Sequence, residues 1–162
     1  MEQILFIVFG AIAVGGAIMV VTRKHPMSSA LYLILTLFAV AALFALRQAH
    51  FLAAIQVIVY AGAVVVLFIF VIMLINVPEN RLPAEKTTVM RVLGVVAAGL
   101  LILEGALLAR RFVLPANPAA DAGSVEAVGR SLFTDYLLAF EITSVLLLAA
   151  VIGAVAMAKK KI

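Results

Sequence analysis

Two carboxylates, Glu104 and Glu141, lie within long apolar stretches of the sequence. A carboxylate in such a place can carry a proton, or it can hydrogen-bond a neighbouring chain or reach polar surroundings at the end of its stretch. Glu104 lies two helical turns before Arg111, and Glu141 lies about a turn and a half after Tyr136. The sequence leaves both the proton-carrying and the structural interpretation open.

The two histidines, His25 and His50, fall at predicted helix ends near positive residues. Metal ligation needs at least a third ligand at suitable spacing, and the sequence offers none. The chain contains no cysteine, which excludes disulfides, iron–sulfur ligation and thiolate zinc sites on this chain. We therefore predict no metal site on this chain.

The segment FLAAIQVIVYAGAVVVLFIFVIMLIN carries no charge, yet it includes Gln56, Tyr60 and Gly62. As a straight α-helix it would be roughly 39 Å long, which exceeds a bilayer core of about 30 Å. It must therefore tilt, bend or change its winding. A π-bulge, which adds one residue to a single turn, would absorb length and rotate the following residues by about 100°. The glycine and the three valines that follow Ala63 permit such a bulge without requiring it.

The composition of the whole chain indicates the elements that hold these residues. Of 162 residues, 67% are hydrophobic and 12% are charged, far from the balance of a soluble domain. A membrane-spanning helix needs about 20 apolar residues, because lipid offers the backbone no hydrogen-bond partner. We predict an all-α integral membrane protein, a single domain over residues 1–162, with five transmembrane helices at about 4–22, 29–46, 51–76, 89–109 and 136–158.

The positive residues predict the orientation. Five spans place on one side Arg23, Lys24, Arg81, Lys86, Arg91, Lys159, Lys160 and Lys161. The other side receives only Arg47, Arg110, Arg111 and Arg130. The excess of positive charge marks the cytoplasmic side, so the N-terminus is predicted outside and the C-terminus in the cytoplasm. The net charge of +4 is thus a topology signal, and no basic patch for nucleic acid is visible.

The connections and small residues add two expectations. Residues 112–135, rich in Pro, Ala and Gly, are predicted to form an exposed outer loop, mobile unless a partner holds it. Helices in lipid associate through small residues that allow close backbone approach. In the first span we identified the pairs Ala11 with Gly15 and Ala13 with Ala17 as candidate packing positions.

Three stretches together resemble a known family. The segment from Phe51 to Asn76, above all QVIVYAGAVVVLFIFVIML, is similar to the third helix of the J chain, or chain 6, of proton-pumping NADH:quinone oxidoreductase (respiratory complex I). HPMSSALYLILTLFAVAALFALRQAHFLAA and YLLAFEITSVLLLAAVIGAVAMAKK resemble the second and fifth helices of that family. The resemblance covers most of the chain outside the fourth span and the outer loop.

This resemblance implies a membrane-arm subunit without a redox centre, placed between the quinone module and the antiporter-like chains. Quinone, NADH, FMN and the iron–sulfur clusters would be bound elsewhere in the complex, and the subunit would not be active alone. Its third helix would convert between π-bulged and α forms and so control a water path. The gating residues implied are Tyr60, Gly62, Val64, Val65 and Phe68, and Glu141 falls in the FE pair of the fifth helix.

Two alternatives remain open at this stage. A related ferredoxin- or hydrogenase-linked proton-pumping membrane complex uses the same kind of module. A free-standing transporter is less favoured, because the sequence has no internal repeat and no matching pair of broken helices. The resemblance favours a multi-pass protein of the bacterial inner (plasma) membrane, surrounded by lipid and other complex I subunits.

Overall fold

A computed structural model describes residues 1–75, 88–111 and 123–159. In these ranges every regular element is helical. The predicted connection at 77–87, the loop residues 112–122, and Lys160 and Lys161 lie outside the described residues. The helical elements are α1 (Glu2–Thr22), α2 (Pro26–Leu46), α3 (His50–Ile55), a π segment (Gln56–Val64), α4 (Val65–Ile75), α5 (Thr88–Arg111), α6 (Val125–Phe133) and α7 (Leu137–Ala158).

Among the residues that the structure describes, four continuous helices are long and apolar enough to cross a membrane. They are α1, α2, the combined helix His50–Ile75 and α7. The fourth predicted span corresponds to α5, within which the shorter stretch Val92–Leu108 is apolar. The all-helical class with several apolar helices agrees with the sequence prediction, and α5, although 24 residues long, has a shorter apolar stretch than the other four helices.

Helices α1 and α2 pack closely along their lengths, and a glycine allows it. Gly16 is the buried residue of α1, and a Cβ placed on it would collide with Thr36 Oγ1 on α2. The Thr36 hydroxyl donates to the Tyr32 carbonyl at 2.9 Å, which holds the side chain in this position. A Cβ on Gly15 would meet no atom within 4 Å, and Ala11 and Ala17 are exposed, so the pairs predicted for α1 stay candidates for packing against other chains.

Helix α2 is the central element of the described fold, since it contacts α1, α3, the π segment and α4. The residues of α2 that are buried are all alanines, namely Ala30, Ala39 and Ala41. Small side chains on several sides let neighbouring helices approach its backbone closely. The helices around α2 therefore pack mainly by close approach of their backbones, and large apolar side chains contribute less to the core.

The turn after α2 reverses the chain over three residues. Gln48 adopts a left-handed conformation with φ of 62°, while the N–H of Gln48 donates to the Ala45 carbonyl and that of Ala49 to the Phe44 carbonyl. This pair of bonds is the Schellman arrangement that ends helices. It places α3 antiparallel to α2 and fixes where the third membrane helix begins.

Part of the predicted outer loop is a helix. Ser124 caps α6 by accepting from the Ala127 N–H at 3.1 Å, as serine commonly does at this position. A Cβ at Gly123 would lie 2.5 Å from the Cα of Ala49, in the turn between α2 and α3. At the other end of α6, Phe133 packs edge-on against Phe140 of α7, with ring centroids 5.1 Å apart. Helix α6 therefore joins α7 to the start of the third membrane helix.

Candidate functional site

The π segment interrupts the third membrane helix. It covers Gln56–Val64 and lies between the α-helical pieces α3 and α4. At its end the N–H of Val65 donates to the carbonyl of Tyr60, five residues earlier, and to that of Gly62. In an α-helix the partner would be four residues earlier, so the hydrogen-bond ladder changes its pairing at this turn. π-helical turns are rare and often occur at functional sites.

Gly62 lies in the wide turn, close to the backbone of the preceding turn. A Cβ on Gly62 would be 3.3 Å from the Val57 carbonyl oxygen, five residues before it. That distance is shorter than an ordinary van der Waals contact, so a side chain would press on the carbonyl that π pairing brings near. The absence of a side chain thus relieves crowding specific to this winding.

The residues implied as gating residues divide between two faces. Val65 is 2% exposed and Ala61 is 7% exposed, on the side where the π segment and α4 contact α2. Tyr60, Val64 and Phe68 are each about half exposed and lie on the outward face. The structure therefore does not gather the five residues into one cluster, because Val65 points inward while its neighbour Val64 points outward.

Tyr60 and Gln56 also differ in their surroundings. Gln56 is partly buried whereas Tyr60 is 51% exposed, although their spacing of four would place them on one face of a regular α-helix. Among the described residues, no side-chain hydrogen bond involves the Tyr60 hydroxyl. The phenol is thus available to a water or to a neighbouring chain.

The two carboxylates lie on helices away from the π segment. Glu141 is exposed on the first turns of α7, and its backbone carbonyl accepts from the Ser144 hydroxyl at 2.7 Å. Glu104 is exposed on α5, among leucines of the same helix. Within the described ranges, the main helix contact of α7 is with α6. The structure brings neither carboxylate next to Tyr60.

The histidines occupy helix ends, as their positions in the sequence predict. His25 is the residue before α2, and His50 opens α3 with its Nε2 3.2 Å from Gln48 Oε1. Over the part of the chain that the structure describes, no three His, Asp or Glu side chains are placed to hold a metal ion. The His50 ring contacts the Gln48 side chain in the turn between α2 and α3.

Comparison with known proteins identifies the family. The family model described as NADH-ubiquinone/plastoquinone oxidoreductase chain 6 matches residues 16–157. The chain is 35% identical to NAD(P)H-quinone oxidoreductase chain 6 of Leptolyngbya boryana, over 99% of this chain and 81% of that protein. It is 34% identical to NADH-quinone oxidoreductase subunit J of Escherichia coli K12, over 94% of this chain and 84% of that protein.

A third relative carries a different name. F(420)H(2) dehydrogenase subunit J of Methanosarcina mazei is 36% identical, over 98% of this chain and 92% of that protein. The matched region includes the third membrane helix with its π segment. The family resemblance seen in the sequence is confirmed: this chain belongs to the NADH-ubiquinone/plastoquinone oxidoreductase chain 6 family, the chain 6 or J subunits of respiratory complex I.

Proposed function

We propose that this chain is a membrane-arm subunit of NADH:quinone oxidoreductase that helps couple quinone reduction to proton translocation. Family membership and the names of its relatives support this assignment. The subunit contributes no redox centre and is inactive alone; NADH, FMN, iron–sulfur clusters and quinone belong to other subunits. Its partners are the quinone-module chains and the antiporter-like chains of the membrane arm.

The proposed arrangement in the membrane follows from the helices and the charges. Residues 1–162 form one membrane domain, in which α5 is the fifth crossing element. The N-terminus and the segment 112–135 lie outside, and the Lys-rich C-terminus faces the cytoplasm of a bacterial cell. The apolar surfaces of the four long helices support the membrane placement.

The proposed mechanism is conversion of the π segment to an α-helix. Restoring the α pairing removes one residue from the wide turn and rotates α4 by roughly 100°, the angle of one residue. Val64 would then take the place that Val65 occupies against α2. Phe68 would likewise take the place of Ile69, which is partly buried. Two side chains that are half exposed would turn inward, and Val65 would turn outward.

This exchange changes the bulk on the outward face. In the π form that face presents Tyr60, Val64 and Phe68, which are bulky enough to exclude water between neighbouring chains. Conversion withdraws Val64 and Phe68 while Tyr60, at the start of the turn, keeps its place. The Tyr60 hydroxyl then has room to hydrogen-bond a water. The helix would thus control hydration without titrating any group of its own.

The single observation that carries this mechanism is the bond from Val65 N–H to the Tyr60 carbonyl. It lies at the turn where the exposed fraction of the residue falls from 51% at Val64 to 2% at Val65. A shift of one residue at this point exchanges an exposed valine for a buried one of equal size. The two forms therefore bury similar apolar area next to α2, and a small free-energy difference can separate them.

The test is a pair of density maps of the intact complex, one at rest and one during turnover, compared along the backbone from Gln56 to Phe68. A π turn in one state and an α-helix in the other supports the conversion. One identical helix in both states overturns it, and Tyr60 and Gly62 then serve only in packing.

Glu141 is proposed as a proton-path or structural carboxylate near the outer end of α7. Its exposure in the isolated chain places it where a neighbouring subunit can contact it. Glu141→Gln keeps the hydrogen-bonding capacity and removes the charge. Loss of proton translocation with normal assembly supports the proton path, whereas normal translocation leaves the structural role.

A second candidate concerns the electron donor. The relative named F(420)H(2) dehydrogenase subunit J is as similar to this chain as the NADH-linked relatives are. The same membrane module would then serve an enzyme that takes electrons from another donor, such as a ferredoxin- or hydrogenase-linked complex. Purification of the native complex decides: flavin and iron–sulfur chains that oxidise NADH support the first assignment, and a different input module supports the second.

A further inference from the structure

Helix α5 presents one continuous leucine stripe with a single carboxylate at its centre. The stripe consists of Leu100, Leu103, Glu104, Leu107 and Leu108, which border an open depression on the surface of this one helix. These positions repeat with spacings of three and four, so they lie on one face of the helix. That pattern is the one with which helices pack against one another.

The stripe is distinct from the rest of α5. Its four leucines are 48% to 61% exposed, whereas Val95 and Ile102, on the other side of the helix, are 73% and 74% exposed. Both faces are apolar, and Glu104, the one carboxylate of α5, lies on the stripe. Within the described ranges, α5 makes no extensive contact with another helix, so none of the described helices covers this face.

Glu104 determines what can cover the stripe. The residue lies seven positions before Arg111, the end of α5, which is about 10 Å along the axis at 1.5 Å per residue. An ionised carboxylate within a membrane-spanning segment is costly in lipid, and such residues almost always face a bundle interior or a water-filled cavity, where they pair with other ionisable groups or with backbone carbonyls. A lipid chain satisfies the leucines but not the carboxylate.

We propose that the stripe is the docking surface for a transmembrane helix of a neighbouring subunit, and that this helix places a lysine or arginine opposite Glu104. The leucines receive the aliphatic side chains of the partner helix, and the cation pairs with the carboxylate in the middle of the contact. Charge complementarity sets the register of the two helices, since sliding by one turn would leave both charges unpaired. This inference rests on the proposed membership of a multisubunit complex.

The test uses the intact complex purified from the membrane. A photo-crosslinking amino acid is introduced at Leu103, on the stripe, and in a matched variant at Ile102, on the opposite face. After illumination we expect Leu103 to crosslink to one membrane subunit and Ile102 to give at least several-fold less of that product. The crosslinked peptide should contain a lysine or arginine within about one helical turn of the modified residue.

Other outcomes overturn the proposal. If both positions crosslink only to lipid, the stripe is a lipid-facing surface on which Glu104 reaches the headgroups. If Leu103 crosslinks to a helix without a nearby cation, or to this chain itself, the stated partner is wrong. The crosslinking is measured in an assembled complex. If the proposed function is wrong, the chain will purify without oxidoreductase subunits, before any crosslinking is attempted. A negative crosslinking result in the assembled complex therefore contradicts only the proposed contact.

Charge substitutions provide a second readout. Glu104→Gln should reduce the Leu103 crosslink several-fold and release the partner subunit at lower salt or detergent concentration. Glu126→Gln, which alters an exposed carboxylate on α6, serves as the matched control and should leave the crosslink unchanged. Equal crosslinking in the Glu104→Gln variant and the parent would show that the contact does not depend on a charge pair.

Discussion

The backbone N–H of Val65 donates to the carbonyl of Tyr60, five residues earlier, and this bond closes the wide turn from which α4 begins. Val65 is buried against α2, whereas Tyr60 is half exposed. The π turn between them sets which residues of α4 face the rest of the chain. Any change in its pairing therefore changes the packing of everything that follows in the third membrane helix.

Gly62→Ala should favour the α form of this helix. The new Cβ would lie 3.3 Å from the Val57 carbonyl oxygen, and overpacking of this kind costs about 1–3 kcal/mol. Alanine has a higher helix propensity than glycine and stabilises both forms. The crowding in the π form therefore decides which form the substitution favours. A penalty of about 1 kcal/mol changes the ratio of the forms roughly fivefold. We expect quinone-coupled proton translocation to fall several-fold while NADH oxidation by an artificial acceptor is unchanged.

Gly15→Ala is the matched control for that experiment, because a Cβ at Gly15 meets no atom within 4 Å. It should leave both activities at the parental level. Equal translocation by the Gly62→Ala variant and the parent would mean that the winding of the π segment does not influence coupling.

Val65→Cys and Val64→Cys report the rotation directly. The chain has no native cysteine, so labelling of this subunit by a small thiol reagent comes only from the introduced residue. At rest, Val64→Cys should react faster than Val65→Cys, because Val64 is 51% exposed and Val65 is 2% exposed. During turnover the rate at Val65→Cys should rise. Labelling rates that are the same at rest and during turnover would contradict rotation of α4.

Gly16→Ala should separate α1 from α2. Its Cβ would collide with Thr36 Oγ1, and we expect a loss of about 1–3 kcal/mol in stability, measured as a lower temperature of subunit release from the complex. The neighbouring Gly15→Ala should have little effect. Thr36→Ala in the Gly16→Ala background should restore part of the loss, since it removes the colliding hydroxyl. No rescue by that double variant would place the strain elsewhere.

Gly123→Ala should detach α6 from the turn between α2 and α3. The added Cβ would lie 2.7 Å from the Ala49 Cβ, so one of the two backbones must move. We expect faster hydrogen exchange at the amides of Ala127 and Val128 in the variant complex. Gly129→Ala on the same helix has open space around its Cβ and should exchange at the parental rate. Identical exchange in both variants would show that this contact does not hold α6.

Much of the architecture could be predicted from composition and local pattern. Apolar runs of sufficient length predicted the membrane helices, because the backbone in lipid must satisfy its own hydrogen bonds. The absence of cysteine excluded thiolate centres by chemistry alone. The excess length, Gly62 and the valine run indicated that the third helix permits a π-bulge, and the sequence motifs in that helix carried the family resemblance.

Local sequence pattern was not sufficient where the structure depends on a contact between segments that are distant in the sequence. The sequence placed 125–133 in a loop, but α6 is helical; Ser124 caps it, and its neighbour Gly123 lies against Ala49. Likewise, Gly15 and Gly16 are equivalent in a one-dimensional pattern. Only the position of Thr36 on α2 makes Gly16 the close-packing residue.

The sequence by itself determined that this is a helical membrane protein of the chain 6 family, since hydrophobicity, cysteine content and motifs are properties of the chain alone. Only the tertiary structure decided which face each residue occupies. Val64 and Val65 are adjacent and chemically identical, yet one is exposed and the other is buried. Adjacent side chains of a helix point about 100° apart, and the contact of this helix with α2 decides which of the two is buried.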